Sequence, residues 1–308
     1  MDVAVTIAQF KERLKALGYA DATLEIYQIG LDKFREYLEA HGIADLRTVT
    51  KQIMLDYKAL VMAGTQAMET KALRIRPVKR LFEHLTANNL LLINPAEGII
   101  ETCRKHKKIG PTLTQEEMKI LLQQPNMSFR GGIRDRAIME VLYATAIRKN
   151  ELLSLEVHDV DLRDSVIHVR KGKGKRQRVV PLGKTAAGFL REYLEKIRPL
   201  YNRKNPKERR LFLTNEGKPL TGGALNVSLY HYRKQAGINK SASPHVFRRS
   251  CATHMLQEGA DIRYIQKLLG HASLATTQQY CKVIPVDIKK THKETHPNGR
   301  DNADSGTS

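Results

Sequence analysis

Through the N-terminal third of the chain, apolar residues recur at helical spacing. Phe10, Leu14 and Leu17 share one face. After Asp21, which can cap a helix start, Tyr27, Leu31, Phe34 and Leu38 repeat at intervals of four, three and four. Ile53, Tyr57 and Leu60 make a further stripe, and Leu73, Leu81 and Leu85 define another helix. Pro77 falls inside that last stripe, where a missing amide donor should kink or split the helix. Stripes of this kind are what ordinary core packing produces. Asn94-Pro95 ends the pattern, and the basic run Arg104 to Lys108 followed by Gly110-Pro111 predicts an exposed linker.

Thr114-Gln115-Glu116-Glu117 has the form of a capping box, so a second domain should open near residue 112. The spacing predicts helix, short turn and helix between Arg134 and Leu155. Residues 166–170 and 178–181 read as two strands joined by a Gly-Lys-Gly turn. Helices are predicted from Lys184 to about Leu200, from Gly223 to Gln235, and between Pro244 and Val283, where Pro285 closes the pattern. The expected fold is mainly α with a small antiparallel β-hairpin or sheet insert, in two domains. A helical N-terminal domain spans 1–103, a basic linker 104–111, a second domain 112–285, and a polar tail, expected to be mobile, 286–308.

Charge sharpens this picture. Among 308 residues, 52 Lys and Arg face 32 Asp and Glu, a net +20, which favours a polyanionic partner, nucleic acid first. The hydrophobic share of 41% is enough for a core. Three scattered cysteines, Cys103, Cys251 and Cys281, argue against a disulfide framework or a cysteine-rich zinc site and fit a reducing cytosol. With no secretory segment and no long apolar span, the expectation is a cytoplasmic protein without membrane contact.

Candidate chemistry comes from four segments. Ser243 and Pro244 suit a helix start, which puts His245 and Arg248 on one face of its first turn, beside free backbone amides that favour an anion. Gly270 has the form of a helix stop, His271 follows it, and Ser273 can cap a short helix carrying Tyr280. With a phenol pKa of about 10, that tyrosine needs a site that stabilises the phenolate or takes its proton. Arg148 lies at a helix–helix turn with Glu151 three residues on. Lys173 sits at the tip of the basic hairpin, where six of the nine residues from Arg170 to Arg178 are Lys or Arg. Taken singly, each motif fits surface charge or packing as well as it fits chemistry.

In this order, the segments resemble the catalytic domain of the tyrosine recombinases, the phage-integrase family, particularly the Xer-like site-specific recombinases. The pattern is carried by Thr145-Ala-Ile-Arg148, Gly172-Lys173-Gly174, His245-Val-Phe-Arg248, Leu269-Gly270-His271 and Tyr280. The N-terminal part resembles that family's helical core-binding domain, down to Asn94-Pro95-Ala96 before the linker. Three departures stand out. Ala146 replaces a usual Gly and would stiffen or shift the turn that presents Arg148. Phe247 and Arg249 replace the commoner Leu and His.

The resemblance implies a site-specific DNA recombinase in which Tyr280 attacks a phosphodiester and forms a 3′-phosphotyrosine. Arg148 and Arg248 would clamp the non-bridging oxygens, Lys173 would protonate the leaving 5′ oxygen, and His245 and His271 would assist. Glu151 would orient the site from behind. These cations supply the charge a metal would bring, so neither metal nor nucleotide cofactor is expected. Arg104, Lys105, Lys107, Lys108, Lys171, Lys175, Arg176 and Arg249 are candidate phosphate contacts, each phosphate adding ~0.9 to the salt slope of binding. The expected partner is double-stranded DNA, bound by a homotetramer on two sites, with the need for a partner recombinase or accessory protein left open. Residues after Tyr280, through Pro285 and Ile288, are equally a disordered tail or a segment packing into a neighbouring protomer. A type IB topoisomerase-like relaxase and an inactive DNA-binding accessory protein are the alternatives.

Overall fold

A computed structural model describes residues 1–101, 110–170, 177–270 and Thr277. The chain divides into two compact units, Met1–Lys107 and Lys108–Ser308.

The first unit is a bundle of α1 (Val3–Ala16), α2 (Asp21–Ala40), α3 (Lys51–Ala63) and α4 (Met68–Ala87). Side-chain caps start two of these helices: Asp2 accepts from the Val5 amide at 2.8 Å and Thr50 from the Ile53 amide at 3.3 Å. Aromatic rings form the centre, with Phe34 edge-on to Tyr57 at 4.9 Å and to Phe82 at 5.9 Å.

Three members of the sequence stripes lie outside this core. Leu17 is 63% exposed because α1 ends at Ala16, leaving Leu17 beyond the last turn. Leu60 and Leu73 face outward as well, since the buried face of α3 is Met54, Tyr57 and Val61, and that of α4 includes Ile75, Val78, Leu81, Phe82 and Leu85.

Pro77 does not split α4. The helix runs through it, and Gly30 of α2 packs against that turn. A Cβ on Gly30 would stand 2.8 Å from the Pro77 ring and 3.1–3.2 Å from the Arg74 and Leu73 carbonyls. The absence of a side chain at Gly30 thus lets α2 lie close against the turn that holds the proline. After α4, Lys79 donates to the Ile99 carbonyl at 2.6 Å and Arg76 to Glu101 at 2.9 Å, tying the end of this unit back onto its last helix.

The second unit begins where the capping box predicts. Thr114 accepts from the Glu117 amide at 3.1 Å and Glu117 accepts from the Thr114 amide at 2.7 Å, opening α5 (Gln115–Leu122). Then follow α6 (Arg130–Thr145), α7 (Lys149–Ser154), β1 (Val160–Asp161), β2 (Val166–Val169) and β3 (Arg178–Pro181). The sheet is antiparallel in the order β1-β2-β3, with Ile167 opposite both Val160 and Val180. It gains one strand over the expected pair, because two residues of β1 are too few to show alternation.

Next come α8 (Lys184–Glu192), a wider π turn at Tyr193–Ile197, α9 (Arg198–Asn202), α10 (Gly222–Gln235), α11 (Pro244–Gln257) and α12 (Ile262–Leu269). The buried Tyr193 hydroxyl donates to Leu211 O and accepts from Leu213 N, each at 3.1 Å, fixing a non-helical segment that the sequence pattern does not predict. No helix of the described residues is long and apolar enough to cross a membrane.

Candidate active site

Helices α6 and α7 meet at a turn made by Ala146, which takes the left-handed conformation, φ 50° and ψ 27°. That geometry costs a non-glycine residue ~1–2 kcal/mol. The Ala146 methyl is wholly buried, which returns about 0.8 kcal/mol. Alanine at this position therefore holds the left-handed turn at little net cost.

Two residues on, Arg148 caps α7 with extended backbone, and its amide donates to Glu151 Oε2 at 2.8 Å. Its Nη1 donates to Glu151 Oε1 at 2.8 Å, and its Nη2 to the Gly270 carbonyl at 3.2 Å. These two side-chain bonds leave further guanidinium donors for an anion.

Glu151 is also held by Arg178, which the sequence reading passed over. Arg178 Nη1 and Nη2 reach Oε1 and Oε2 at 3.1 and 2.8 Å, and its Nε donates to the Leu268 carbonyl at 3.0 Å. Burial alone would raise the Glu151 pKa. The Arg178 hydrogen bonds and charge, with the Arg148 amide and guanidinium, overcome it and bring the carboxyl down to about 2. One signal for Arg178 was available: it lies in phase with the buried Val180 in β3, while the intervening Val179 is exposed.

Helix α11 supplies the next groups. Pro244 takes its first position, as expected, but the Ser243 side chain makes no cap. The Ser243 carbonyl instead accepts from Val246 N and Phe247 N at 2.8 and 3.0 Å. Arg248 is buried, and its Nη1 and Nη2 donate to the carbonyls of Ala146 and Leu269, each at 2.6 Å. His245 presents to solvent at the same turn. Partial loss of solvent around its ring, then the cations Arg248, Arg249, Lys149 and Arg148, lower its pKa below 6.5. The imidazole is therefore neutral at pH 7 and able to accept a proton.

The end of α12 joins these pieces. Gly270 closes the helix with φ 61°, and the three consecutive carbonyls of Leu268, Leu269 and Gly270 are met by Arg178, Arg248 and Arg148. A helix C-terminus has orphan acceptors and a negative dipole end, so three guanidiniums gather there without mutual repulsion deciding the geometry. Residues far apart in sequence are thereby brought to one place.

Arg249 turns away from this cluster. Its Nη2 donates to the Pro111 carbonyl at 3.0 Å, and Gly110 packs against its guanidinium. Beside it, the Leu113 amide donates to Ser250 Oγ at 2.9 Å and the Leu113 carbonyl lies 2.9 Å from His254 Nε2. Burial lowers the His254 pKa, so the neutral ring donates through Nε2 and accepts the Tyr143 hydroxyl, 2.8 Å away, at Nδ1. Cys251 is a buried free thiol whose pKa burial pushes up to about 12.

Lys173, His271 and Tyr280 lie outside the described residues, as do Arg104, Lys105, Lys107, Lys108, Lys171, Lys175 and Arg176, the Ser273 cap and the tail. Among the described residues, no group of three or more His, Cys, Asp or Glu side chains is placed to hold a metal ion.

Residues 111–285 match the model of the phage integrase family. The chain is 33% identical over 280 residues to the tyrosine recombinase XerD of Staphylococcus epidermidis, covering 91% of this chain and 94% of that relative. It is 34% identical over 281 residues to the tyrosine recombinase XerD of Listeria monocytogenes serotype 4b, with the same coverage. In structure it is similar to a lambda integrase dimer bound to a COC′ core site, with a TM-score of 0.72 at 19% identity, covering 91% of this chain and 95% of that one. That likeness extends the mainly helical architecture with its small sheet to a solved member of the group. With a family model spanning more than half of the chain and relatives matched along nearly all of it, the chain belongs to the phage integrase family, the tyrosine recombinases, whose members are DNA strand-transferring enzymes.

Proposed function

We propose that the protein is a site-specific recombinase of double-stranded DNA, in which Tyr280 is the nucleophile and Arg148 and Arg248 form the phosphate clamp. The observation that carries this reading is the meeting of Arg148 and Arg248, from separate helices, on the adjacent carbonyls Gly270 and Leu269. Tyr280 follows Gly270 by ten residues in the sequence. Two guanidiniums fixed this way suit the non-bridging oxygens of one phosphodiester, and each such donor is commonly worth ~3–4 kcal/mol of barrier.

In the proposed reaction the Tyr280 phenol oxygen attacks phosphorus while the bond to the 5′ oxygen breaks. His245, neutral at pH 7 and one helical turn before Arg248, takes the phenol proton. Lys173 gives a proton to the departing 5′ oxygen, which would otherwise leave as an alkoxide, and His271 donates a hydrogen bond to the phosphate. The 3′-phosphotyrosine keeps the energy of the ester, so a 5′ hydroxyl from a second duplex reverses the step. Strand exchange through a four-way junction follows, without metal or nucleotide. The first unit and the basic linker serve as further DNA contacts, and a homotetramer on two sites is the working assembly. A cytoplasmic location fits a protein acting on DNA. Relatives named as recombinases, matched along nearly the whole chain, favour strand exchange over relaxation.

The deciding experiment is incubation with a nicked suicide duplex that traps the covalent adduct. Wild type is expected to form a protein–DNA adduct and Tyr280→Phe to bind DNA without forming one. Equal adduct formation by both proteins would place the nucleophile elsewhere.

A further inference from the structure

Glu151 carries two guanidiniums, and only one of them belongs to the proposed phosphate clamp. Arg148 takes Oε1 and, through its amide, Oε2, while Arg178 lays a fork across both oxygens. Glu151 is 3% exposed and Arg178 13%, so the interaction is poorly screened.

An isolated Arg148–Glu151 pair would have a cost for catalysis. The carboxylate that fixes the guanidinium would also cancel much of the charge it offers to a phosphate. With Arg178 present, the trio keeps one net positive charge. Arg178 is also tied to β3 by its own backbone and to the end of α12 through Leu268 O, so it holds the carboxylate from anchors separate from those of Arg148. Its Nε, Nη1 and Nη2 all donate to acceptors within the protein.

We infer that Arg178 is a positioning residue for strand transfer: it locks Glu151 beneath Arg148 and offsets its charge, so that Arg148 stays an effective cation toward the scissile phosphate. The inference rests on the phosphate-clamp reading above and deepens it. It assigns Arg178 no contact with DNA.

The test measures single-turnover adduct formation on the suicide duplex, with rates normalised to DNA-bound protein so that any loss of folded material drops out. Arg178→Gln should slow the rate by about tenfold or more, as expected when one preorganised cationic donor is weakened. Adding Glu151→Gln to that variant removes the uncompensated carboxylate and should restore about fivefold or more of the rate. Arg178→Lys keeps the charge but loses the fork, so its rate should fall between those of Arg178→Gln and wild type.

A purely structural role predicts the opposite for the double variant, since removing a second partner from a buried network loosens it further. A double variant no faster than Arg178→Gln, equal losses for Lys and Gln, or an unaffected Arg178→Gln would each overturn the inference. Absence of any wild-type adduct would sink the recombinase reading itself and the inference with it, and is told apart because no variant then differs.

Discussion

Glu151 receives Arg148 twice, the backbone N–H on one carboxylate oxygen and the guanidinium on the other, each at 2.8 Å. The first bond fixes where α7 begins and the second fixes where its cap residue points. One carboxylate therefore sets both the local fold and the aim of the cation.

Stability should carry the signature of that carboxylate. Its pKa falls from 4.5 to about 2 on folding, so its contribution is fully present above pH 4.5 and is lost as pH falls toward 2. A shift of that size corresponds to roughly 3 kcal/mol. Urea unfolding at a series of pH values should show Glu151→Gln less stable than wild type by roughly 2–4 kcal/mol at pH 7. The gap should narrow as the solution is acidified below pH 4.5. A gap of constant size down to pH 2 would mean the carboxylate is not held by its arginines.

His245 gives a separate pH expectation. Partly shielded from water and within the electrostatic reach of Arg248, Arg249, Lys149 and Arg148, it should titrate below 6.5 in the DNA-free protein by NMR. Bound phosphate adds negative charge beside it and should move the midpoint upward in the duplex complex. A DNA-free midpoint above 6.5 would remove the basis for a neutral imidazole accepting the Tyr280 proton.

The close approach of α2 and α4 can be tested at Gly30. Gly30→Ala places a methyl 2.8 Å from the Pro77 ring and should destabilise the first unit by about 1–3 kcal/mol. Hydrogen exchange in the full chain should quicken at α2 and α4 amides and stay unchanged at α6 and α11. Adding Pro77→Ala removes the ring but not the facing carbonyls, so it should restore part of the protection. No change in exchange on Gly30→Ala would show that the two helices can part without cost.

The sequence made legible whatever depends on neighbours in the chain. The capping box at Thr114 and Glu117, the β3 span from Arg178 to Pro181 and the helix starting at Pro244 are local signals, and each is where the spacing puts it. Misreadings arose where a distant partner decides. Pro77 suggests a split, yet α4 runs through it where Gly30, two helices earlier in the chain, packs against the turn. Leu17 and Leu60 fit a stripe by spacing, yet helix length and the choice of packing face leave them exposed. Arg178 is one of six basic residues in a short run, and what separates it is a carboxylate 27 positions earlier. The Ala146 departure changes the residue and keeps the left-handed turn.

The grip of α11 on the entry to its own unit bears on how the enzyme is made. Leu113 is bonded to Ser250 and His254, partners 137 and 141 positions downstream. Arg148 and Arg248 find their carbonyls only once residues 269 and 270 exist. A ribosome-bound chain that has not yet released α11 and α12 can close neither the start of this unit nor the guanidinium cluster. Contacts of such long range are paid for late in folding. A partly synthesised molecule thus has no assembled guanidinium cluster until residues 269 and 270 have left the ribosome.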